Sequence, residues 1–144
     1  MAALPSAVLF SCTLNSIRSP MAESILKSLQ PVRIFVDSVG VRAGEVDPFA
    51  VEVMAEIGID LSHHQSKTFQ TLDDTSFDLV VSLSPEAQHS AVELTHWMAC
   101  EVEYWPTFDP SVVEGSRTMR LDAYRKVRDE LVARISKRFP SQPV

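Results

Sequence analysis

Apolar runs alternate with helical patterns along this chain, and the alternation predicts an α/β fold. Short runs rich in Val, Ile, Leu and Phe predict strands at residues 7–11, 32–39, 79–83 and 101–105. Between and after them, apolar residues recur every three or four positions, as in helices that pack on one face. Strands that alternate with helices pair in parallel through right-handed crossovers. Ligands of such sheets bind beyond the carboxyl ends of the strands.

Capping residues and prolines predict where the helices begin. Three pairs combine an N-cap residue with a proline suited to the first helical position, namely Ser19-Pro20, Asp47-Pro48 and Ser84-Pro85. The second helix is expected to point Ile57 inward and to stop at Gly58. The last helix is predicted over residues 118–139. Its apolar stripe consists of Leu121, Tyr124, Val127, Leu131, Ile135 and Phe139.

Composition limits the classes of function. The 144 residues suit one domain over residues 1–144, with 140–144 expected as a frayed tail. A formal net charge of −6 argues against a nucleic-acid partner. No segment approaches the ~20 apolar residues of a membrane span, and no secretory signal is recognisable, so we expect a cytoplasmic protein with free thiols. The histidines have no other candidate metal ligands near them at the spacings of metal sites. Neither a metal nor a cofactor is therefore predicted.

The segment SCTLNSIRSP, residues 11–20, carries the candidate chemistry. It follows the first strand and leads into the first helix, so its backbone N–H groups and the helix N-terminus can surround an oxyanion. Arg18 supplies a guanidinium that matches two phosphate oxygens, and Cys12 lies beneath the anion as a nucleophile. A Cys-x5-Arg spacing alone is a weak signal. The alternative is a buried strand-end cysteine with an unrelated surface arginine.

A thiolate that attacks a phosphate ester needs an acid to protonate the leaving group. Asp109, in the segment YWPTFDPS, follows the last strand and therefore shares the sheet edge of Cys12. Trp105 and Phe108 are expected to keep this carboxyl partly dry. The other Asp-Pro pair, at Asp47, is better explained as a helix cap.

Several ordered motifs resemble the low-molecular-weight protein tyrosine phosphatases and the arsenate reductases of the same fold. They are VLFSCTLNSIRSPMAES, DSVGV, VDPFAVEVMAEIGIDLSHHQSK, FDLVVSLS and YWPTFDP, and the segment YRKVRDELVARI resembles the reductases in particular. The resemblance implies a four-stranded parallel sheet with helices on both faces and a phosphate-binding loop after the first strand. It also implies a phosphocysteine intermediate on Cys12, with Arg18 as the phosphate clamp and Asp109 as the acid and later the base. Ser19 would stabilise the thiolate, Asn15 would hold the loop, and backbone N–H groups would come from Thr13, Leu14, Ser16 and Ile17.

The chain departs from the family pattern at informative positions. Leu14 stands where family loops often have Gly, which predicts an uncomfortable backbone angle at that residue. Ile17 stands where many phosphatases have a second cysteine, so Cys12 is predicted to overoxidise readily. Ser84 and Ala91 stand where thioredoxin-linked arsenate reductases carry relay cysteines. Cys100, the other thiol, is most simply interpreted as a small core residue.

These observations favour a phosphatase acting on phosphotyrosine or similar aryl phosphate monoesters. Two alternatives stay open: an arsenate reductase that uses Cys12 and an external thiol such as glutathione or glutaredoxin, and a non-catalytic phosphate-binding protein. The expected partners are a phosphorylated protein or a small phosphate ester, with phosphate, sulfate or arsenate as oxyanions for the loop. A monomer is the default, and neither a nucleic acid nor a membrane is expected as a partner. His64 and Ser66, in the segment HHQSK, are expected to serve loop packing.

Overall fold

The computed structural model describes residues 4–72 and 76–140. Within them, four parallel strands form one sheet in the order β2-β1-β3-β4. The strands are β1 (Ala7–Cys12), β2 (Phe35–Gly40), β3 (Leu79–Ser82) and β4 (Glu101–Tyr104). The α/β class and the parallel pairing predicted from the sequence are confirmed. The predicted frayed tail falls, apart from Pro140, outside the described residues.

Four α-helices alternate with these strands in the described part of the chain, and they cover both faces of the sheet. They are α1 (Arg18–Leu29), α2 (Pro48–Ala55), α3 (Pro85–Leu94) and α4 (Arg117–Arg138). Side chains of α1, α2 and α4 share one apolar core with Val8 and Phe10 of β1. Leu9 points the opposite way, into a smaller core that includes Ala91 of α3. This division follows from the alternation of side chains along a strand.

The stripe predicted for the last helix is buried at every position, from Leu121 to Phe139. Capping explains two other helix starts, because Asp47 accepts a hydrogen bond from the Phe49 nitrogen and Ser84 accepts one from the Ala87 nitrogen. The prediction for α1 was wrong by two residues. This helix begins at Arg18 after Ile17, which makes no side-chain cap.

Two further boundaries differ from the sequence-based prediction by more than one residue. Strand β2 begins at Phe35 rather than at residue 32, and Val32 is 92% exposed. Helix α2 ends at Ala55, so Ile57 leaves the inward face and is 42% exposed. Gly58 follows in the turn with φ +79°, a conformation that favours glycine.

The strand order places the end of β1 at the switch point of the sheet, where successive strands are added on opposite sides of β1. β2 pairs on one side of β1 and β3 on the other, so the connections leaving β1 and β3 turn to opposite faces. A crevice opens there beyond the carboxyl ends of the strands. No helix in the described part of the chain is long and apolar enough to cross a membrane.

Candidate active site

The loop at residues 12–18 turns its carbonyl groups outward. The segment at residues 41–47 runs along its outer side and donates four backbone hydrogen bonds to it. The acceptors are the carbonyls of Cys12, Thr13, Leu14 and Ser16, which lie 3.1, 2.9, 2.8 and 3.0 Å from the nitrogens of Val41, Arg42, Gly44 and Asp47. Because N–H and C=O point in opposite directions across a planar peptide, the N–H groups of the loop face inward. The loop is therefore a concave nest of donors suited to an anion.

Gly40 allows the loop to approach the end of β2 closely. A Cβ atom at this position would lie 2.7 Å from the Asn15 nitrogen and 2.8 Å from the Leu14 carbonyl carbon. Backbone atoms cannot move aside as flexible side-chain ends can, so a side chain here would push the loop away from the sheet. The glycine is required by this contact rather than by its φ angle.

Cys12 ends β1 at the floor of the nest. The residue is 2% exposed, and it lines a pocket of about 270 Å³ that opens beyond the carboxyl edge of the sheet. The Ser19 hydroxyl lies 2.9 Å from its sulfur. Asn15 Nδ2 donates to the same hydroxyl oxygen at 2.8 Å. The Ser19 hydroxyl has two acceptors within reach of its proton, the Cys12 sulfur at 2.9 Å and the Val39 carbonyl at 3.4 Å.

Asn15, rather than Leu14, takes the unusual backbone conformation of the loop. Its φ is +53°, in the left-handed region that Asn tolerates better than most residues. The prediction of an uncomfortable backbone angle at Leu14 is therefore wrong. The Asn15 side chain is buried and also donates to Ser38 Oγ at 2.9 Å, while its Oδ1 accepts from the Lys67 nitrogen at 2.9 Å.

A buried polar network supports Asn15 from below. Ser38 Oγ donates to Glu23, a buried carboxylate on α1. His64 Nε2 lies 3.1 Å from Asn15 Oδ1, and its Nδ1 lies 4.0 Å from Glu23. Burial lowers the pKa of His64 below its usual value, and the charge of Glu23 opposes that effect. These hydrogen bonds hold the side chain of Asn15, the residue whose backbone has the left-handed conformation. The network therefore maintains the shape of the loop.

The sequence predicted loop packing for His64 and Ser66, and both contact the loop. Ser66 Oγ donates to the Asn15 carbonyl at 2.7 Å. Glu23 and Ser38 were missed. The signal for Glu23 was present, since this acidic residue falls among the apolar positions that α1 buries, and a buried carboxylate requires partners. No comparable signal marks Ser38.

Arg18 opens α1 and reaches towards the opposite wall of the pocket. Its Nη1 donates to the Thr107 carbonyl at 3.1 Å, across 89 positions of sequence. Thr107 belongs to the segment that connects β4 to the Asp109 region. This contact fixes one end of the guanidinium of Arg18, which lines the same pocket as Asp109.

Asp109 faces the same pocket as Cys12 and Arg18. It caps the short 3-10 helix Pro110–Val112, and its Oδ1 accepts from the nitrogen and the hydroxyl of Ser111 at 3.0 and 2.7 Å. These two hydrogen bonds hold the carboxyl group in place through its Oδ1 oxygen. Trp105 is buried, but Phe108 is 54% exposed, so of the two aromatic residues expected to dry the acid only Trp105 lies in the interior.

The pocket brings together most of the residues named from the sequence. Its lining includes Cys12, Thr13, Leu14, Ser16, Ile17, Arg18 and Asp109, while Asn15 and Ser19 lie buried beneath. Asp47 and Glu86 also line it, and neither was predicted as a site residue. Asp47 combines its capping role with a hydrogen bond from the Tyr124 hydroxyl at 2.9 Å, and burial with this carboxylate raises the pKa of Tyr124 far above its usual value. Among the described residues, no group of three or more His, Cys, Asp and Glu side chains is placed to hold a metal ion.

Cys100 lies at the amino-terminal ends of the strands, whereas Cys12 lies at their carboxyl-terminal ends. It directly precedes Glu101, which pairs through Leu79 with Val8, four residues before Cys12. At ~3.3 Å per strand residue, the two cysteines are separated by more than about 15 Å along the strands. Disulfide formation requires Cα atoms less than about 7 Å apart, so Cys100 cannot reach Cys12 in this fold. Burial raises the pKa of the Cys100 thiol.

The pocket combines a nest of backbone donors with a cysteine on its floor and with an arginine and an aspartate in its lining, which makes it a candidate oxyanion site. The model of the low molecular weight phosphotyrosine protein phosphatases matches residues 7–139. The chain belongs to this family.

Relatives within the family carry two kinds of names. A glutaredoxin arsenate reductase of Synechocystis sp. is 35% identical over 132 residues, which cover 90% of this chain and 98% of the relative. The crystal structure of a low molecular weight protein tyrosine phosphatase from T. tengcongensis aligns at 31% identity with a TM-score of 0.77, covering 92% of this chain and 96% of the other. An arsenate reductase solved in a phosphate-binding state aligns at 29% identity with a TM-score of 0.71, covering 92% and 95%. The family relationship thus establishes the fold and leaves the choice between hydrolysis and reduction to the site.

Proposed function

We propose that this protein hydrolyses aryl phosphate monoesters, phosphotyrosine among them, through a phosphocysteine intermediate. The observation that carries the proposal is the placement of Cys12 and Asp109 on one pocket of about 270 Å³. A nucleophile on the floor and a carboxyl group on the wall are the two groups that displacement at phosphorus requires.

In the first step the Cys12 thiolate attacks phosphorus. The S–P bond forms as the bond between phosphorus and the ester oxygen breaks, and Asp109 gives its proton to the departing oxygen. The inward N–H groups of the loop and the Arg18 guanidinium stabilise the charge on the three remaining phosphoryl oxygens. Ser19 stabilises the thiolate before attack by donating to the sulfur.

In the second step water attacks the phosphocysteine. Asp109, now a carboxylate, accepts a proton from this water, and the S–P bond breaks to release phosphate and restore the thiolate. The bonds from Ser111 to Oδ1 hold the carboxyl group while its other oxygen exchanges the proton. One residue thus acts as acid and then as base.

The walls of the pocket support an aryl leaving group. Leu14 is 42% exposed on the outer part of the loop, and Ile17 lines the same pocket. The exposed Leu14 side chain offers apolar contact to a ring whose phosphate lies in the nest, whereas the Ile17 side chain is buried in the core. Departure of a phenol is also easier than departure of an alkyl alcohol because phenoxide is the weaker base.

Arsenate reduction is the second candidate, and the name of the Synechocystis relative supports it. Arsenate is a tetrahedral oxyanion that suits the same nest. Its reduction to arsenite takes two electrons, which two thiols supply as they become a disulfide. Because Cys100 lies at the opposite sheet edge, the second thiol would have to come from outside, from glutathione or glutaredoxin.

The deciding experiment compares both reactions in one set of proteins. Hydrolysis of p-nitrophenyl phosphate near pH 6 and arsenate-dependent oxidation of glutathione are measured for the wild type, Cys12→Ser and Asp109→Asn. We expect hydrolysis by the wild type, its loss in Cys12→Ser by more than about a thousandfold, and a fall in Asp109→Asn by roughly a hundredfold. Cys12-dependent oxidation of glutathione without hydrolysis would establish the reductase instead. Binding of phosphate by a folded protein that performs neither reaction would leave the non-catalytic alternative.

A further inference from the structure

A second concavity adjoins the phosphate pocket. It has a volume of about 720 Å³ and lies between the segment at residues 108–113 and the first half of α4. Phe108 and Val113 form one side, and Met119, Ala123 and Val127 form the apolar part of the other. The rest of the lining is charged and consists of Asp122, Arg125, Lys126, Asp129 and Glu130. We call it the α4 groove.

The α4 groove has an exposed apolar rim. Phe108 is 54% exposed and Met119 is 57% exposed, and Val112 beside them is 63% exposed. The opposite wall of the phosphate pocket is charged. There Arg42 and Glu86 form an ion pair with 3.2 Å between Nη1 and Oε2. Molecules that approach the pocket therefore meet an apolar surface on one side and an ion pair on the other.

The groove and the pocket lie on two sides of the same short segment, residues 108–113. Asp109 and Ser111 face the phosphate pocket, while Phe108 and Val113 face the groove. A polypeptide whose phosphorylated side chain enters the pocket meets this segment on the apolar side of the pocket. With ~3.8 Å between consecutive Cα atoms, a residue one or two positions from the phosphorylated residue lies over the groove.

We propose that the α4 groove binds an apolar side chain that flanks the phosphorylated residue of a polypeptide substrate. The inference rests on the proposed phosphatase function and adds to it a subsite for the residue next to the phosphorylated one. A small ester or arsenate occupies the nest and the pocket alone, and it has no part that extends over residues 108–113. The continuity of the apolar rim with the catalytic pocket has a use only for a substrate with a chain on either side of its phosphate.

Met119 offers a clean test because it lies outside the catalytic machinery. It is the third residue of α4 after the N-cap Ser116, whose hydroxyl accepts from the Met119 nitrogen. Glutamate at this position completes a capping box, so Met119→Glu keeps the helix start while it removes the apolar surface. Met119→Gln removes that surface without adding a charge, and Met119→Leu restores it. Val92→Glu is the matched control, since Val92 is an exposed apolar residue on α3 that lies outside both concavities.

The experiment uses three phosphotyrosine peptides, with glycine on both sides, with leucine before the phosphotyrosine, or with leucine after it. Turnover of each is compared with that of p-nitrophenyl phosphate, and binding of each to Cys12→Ser is measured by fluorescence anisotropy. Light scattering reports the oligomeric state of every variant.

We expect one leucine peptide to have a KM and a Kd about five- to tenfold lower than the glycine peptide. Met119→Glu and Met119→Gln abolish this preference, Met119→Leu and Val92→Glu retain it, and turnover of p-nitrophenyl phosphate changes less than about twofold. Equal values for all three peptides, or a preference that survives Met119→Gln, would overturn the inference. A dimer that Met119→Glu dissociates, with no peptide preference, would assign the groove to a second copy of the chain. If the wild type hydrolyses none of these esters, the result counts against the proposed phosphatase function. The peptide affinities measured by anisotropy would still show whether the groove binds a leucine side chain.

Discussion

The two cysteines lie at opposite edges of one sheet and have opposite surroundings. Cys12 stands at the carboxyl edge, beneath a ring of inward N–H groups, with a serine hydroxyl 2.9 Å from its sulfur. Cys100 stands at the amino edge, in a groove that includes Met98 and Leu79, where burial raises the pKa of the thiol. A serine hydroxyl contacts one sulfur, and burial dominates the surroundings of the other.

The contrast identifies what makes a thiol a candidate nucleophile in this fold. Both residues are partly or wholly buried, so burial alone does not distinguish them. The carboxyl edge gathers helix N-termini and loop N–H groups because every parallel strand ends there and every following helix begins there. The amino edge lacks these donors. Position relative to the strand direction therefore matters more than exposure.

Oxidation should separate the two thiols most sharply. Peroxide converts the Cys12 thiolate to the sulfenic acid, and a thiol within reach would protect it as a disulfide. Ile17 occupies the loop position of a protecting cysteine, and Cys100 lies more than about 15 Å away along the strands. We expect complete loss of turnover that reductant restores only partly, with sulfinic and sulfonic Cys12 found by mass spectrometry.

The matched variant for oxidation is Cys100→Ser, which should lose activity at the same rate as the wild type. Finding most of the oxidised wild type as a Cys12–Cys100 disulfide would contradict the separation of the two thiols. Ile17→Cys should make the inactivation reversible, provided that the new thiol reaches Cys12.

Gly40→Ala should damage the carboxyl edge without touching any side chain of the site. The added Cβ would meet backbone atoms at 2.7 and 2.8 Å, so the nest must shift. We expect turnover to fall more than about a hundredfold and the free energy of unfolding to fall by about 3 kcal/mol, measured with p-nitrophenyl phosphate and by urea denaturation.

Gly44→Ala is the control for this change, since its Cβ would lie 3.4 Å from the nearest atom, a side-chain carbon of Leu14. We expect it to alter stability by less than about 0.5 kcal/mol. Equal effects of the two substitutions would show that the close approach at Gly40 has no special role.

Ser19→Ala tests the hydroxyl that distinguishes the surroundings of Cys12. Removing this donor leaves the thiolate without its side-chain hydrogen bond and should lower kcat by about tenfold. Alkylation of Cys12 by iodoacetate at pH 6 should slow by a similar factor. Ser24→Ala, on the same helix but bonded only to the Met21 carbonyl, should leave both rates unchanged. Unaltered alkylation in Ser19→Ala would remove Ser19 from the proposed role.

The smallest effect concerns the acid stability of the network beneath the nest. Burial lowers the pKa of His64 below 6.5, assisted by the charge of Lys67 and opposed by Glu23 and Asp37. The unfolded chain therefore binds a proton at a pH where the folded protein does not. The contribution of His64 to stability is present above pH 6.5 and is lost as the pH falls through its folded value.

We expect His64→Gln to lose less stability than the wild type between pH 7.5 and pH 5, measured by urea denaturation at each pH. His63→Gln is the control, because the His63 side chain is 91% exposed. A pH dependence identical in all three proteins would mean that His64 is not the group that titrates.

Local signals predicted a good part of this molecule. The caps at Asp47 and Ser84 and the stripe of α4 each depend on residues a few positions apart, and all three are confirmed. The same local signals failed at the start of α1. There Ser19 lies inside the first turn of the helix, and its hydroxyl contacts the sulfur of Cys12 instead of capping the helix.

Positions along the chain, together with the family resemblance, were enough to name Cys12, Arg18 and Asp109 as candidates, since a loop after a strand and a turn after the last strand reach the same end of a parallel sheet. The long-range contacts had no such signature. His64 meets Asn15 across 49 positions and Arg18 meets the Thr107 carbonyl across 89, and the isolation of Cys100 and the α4 groove depend equally on the strand order. Periodicity and capping act through neighbours in sequence, whereas these contacts arise only when the sheet has assembled and brought distant segments together.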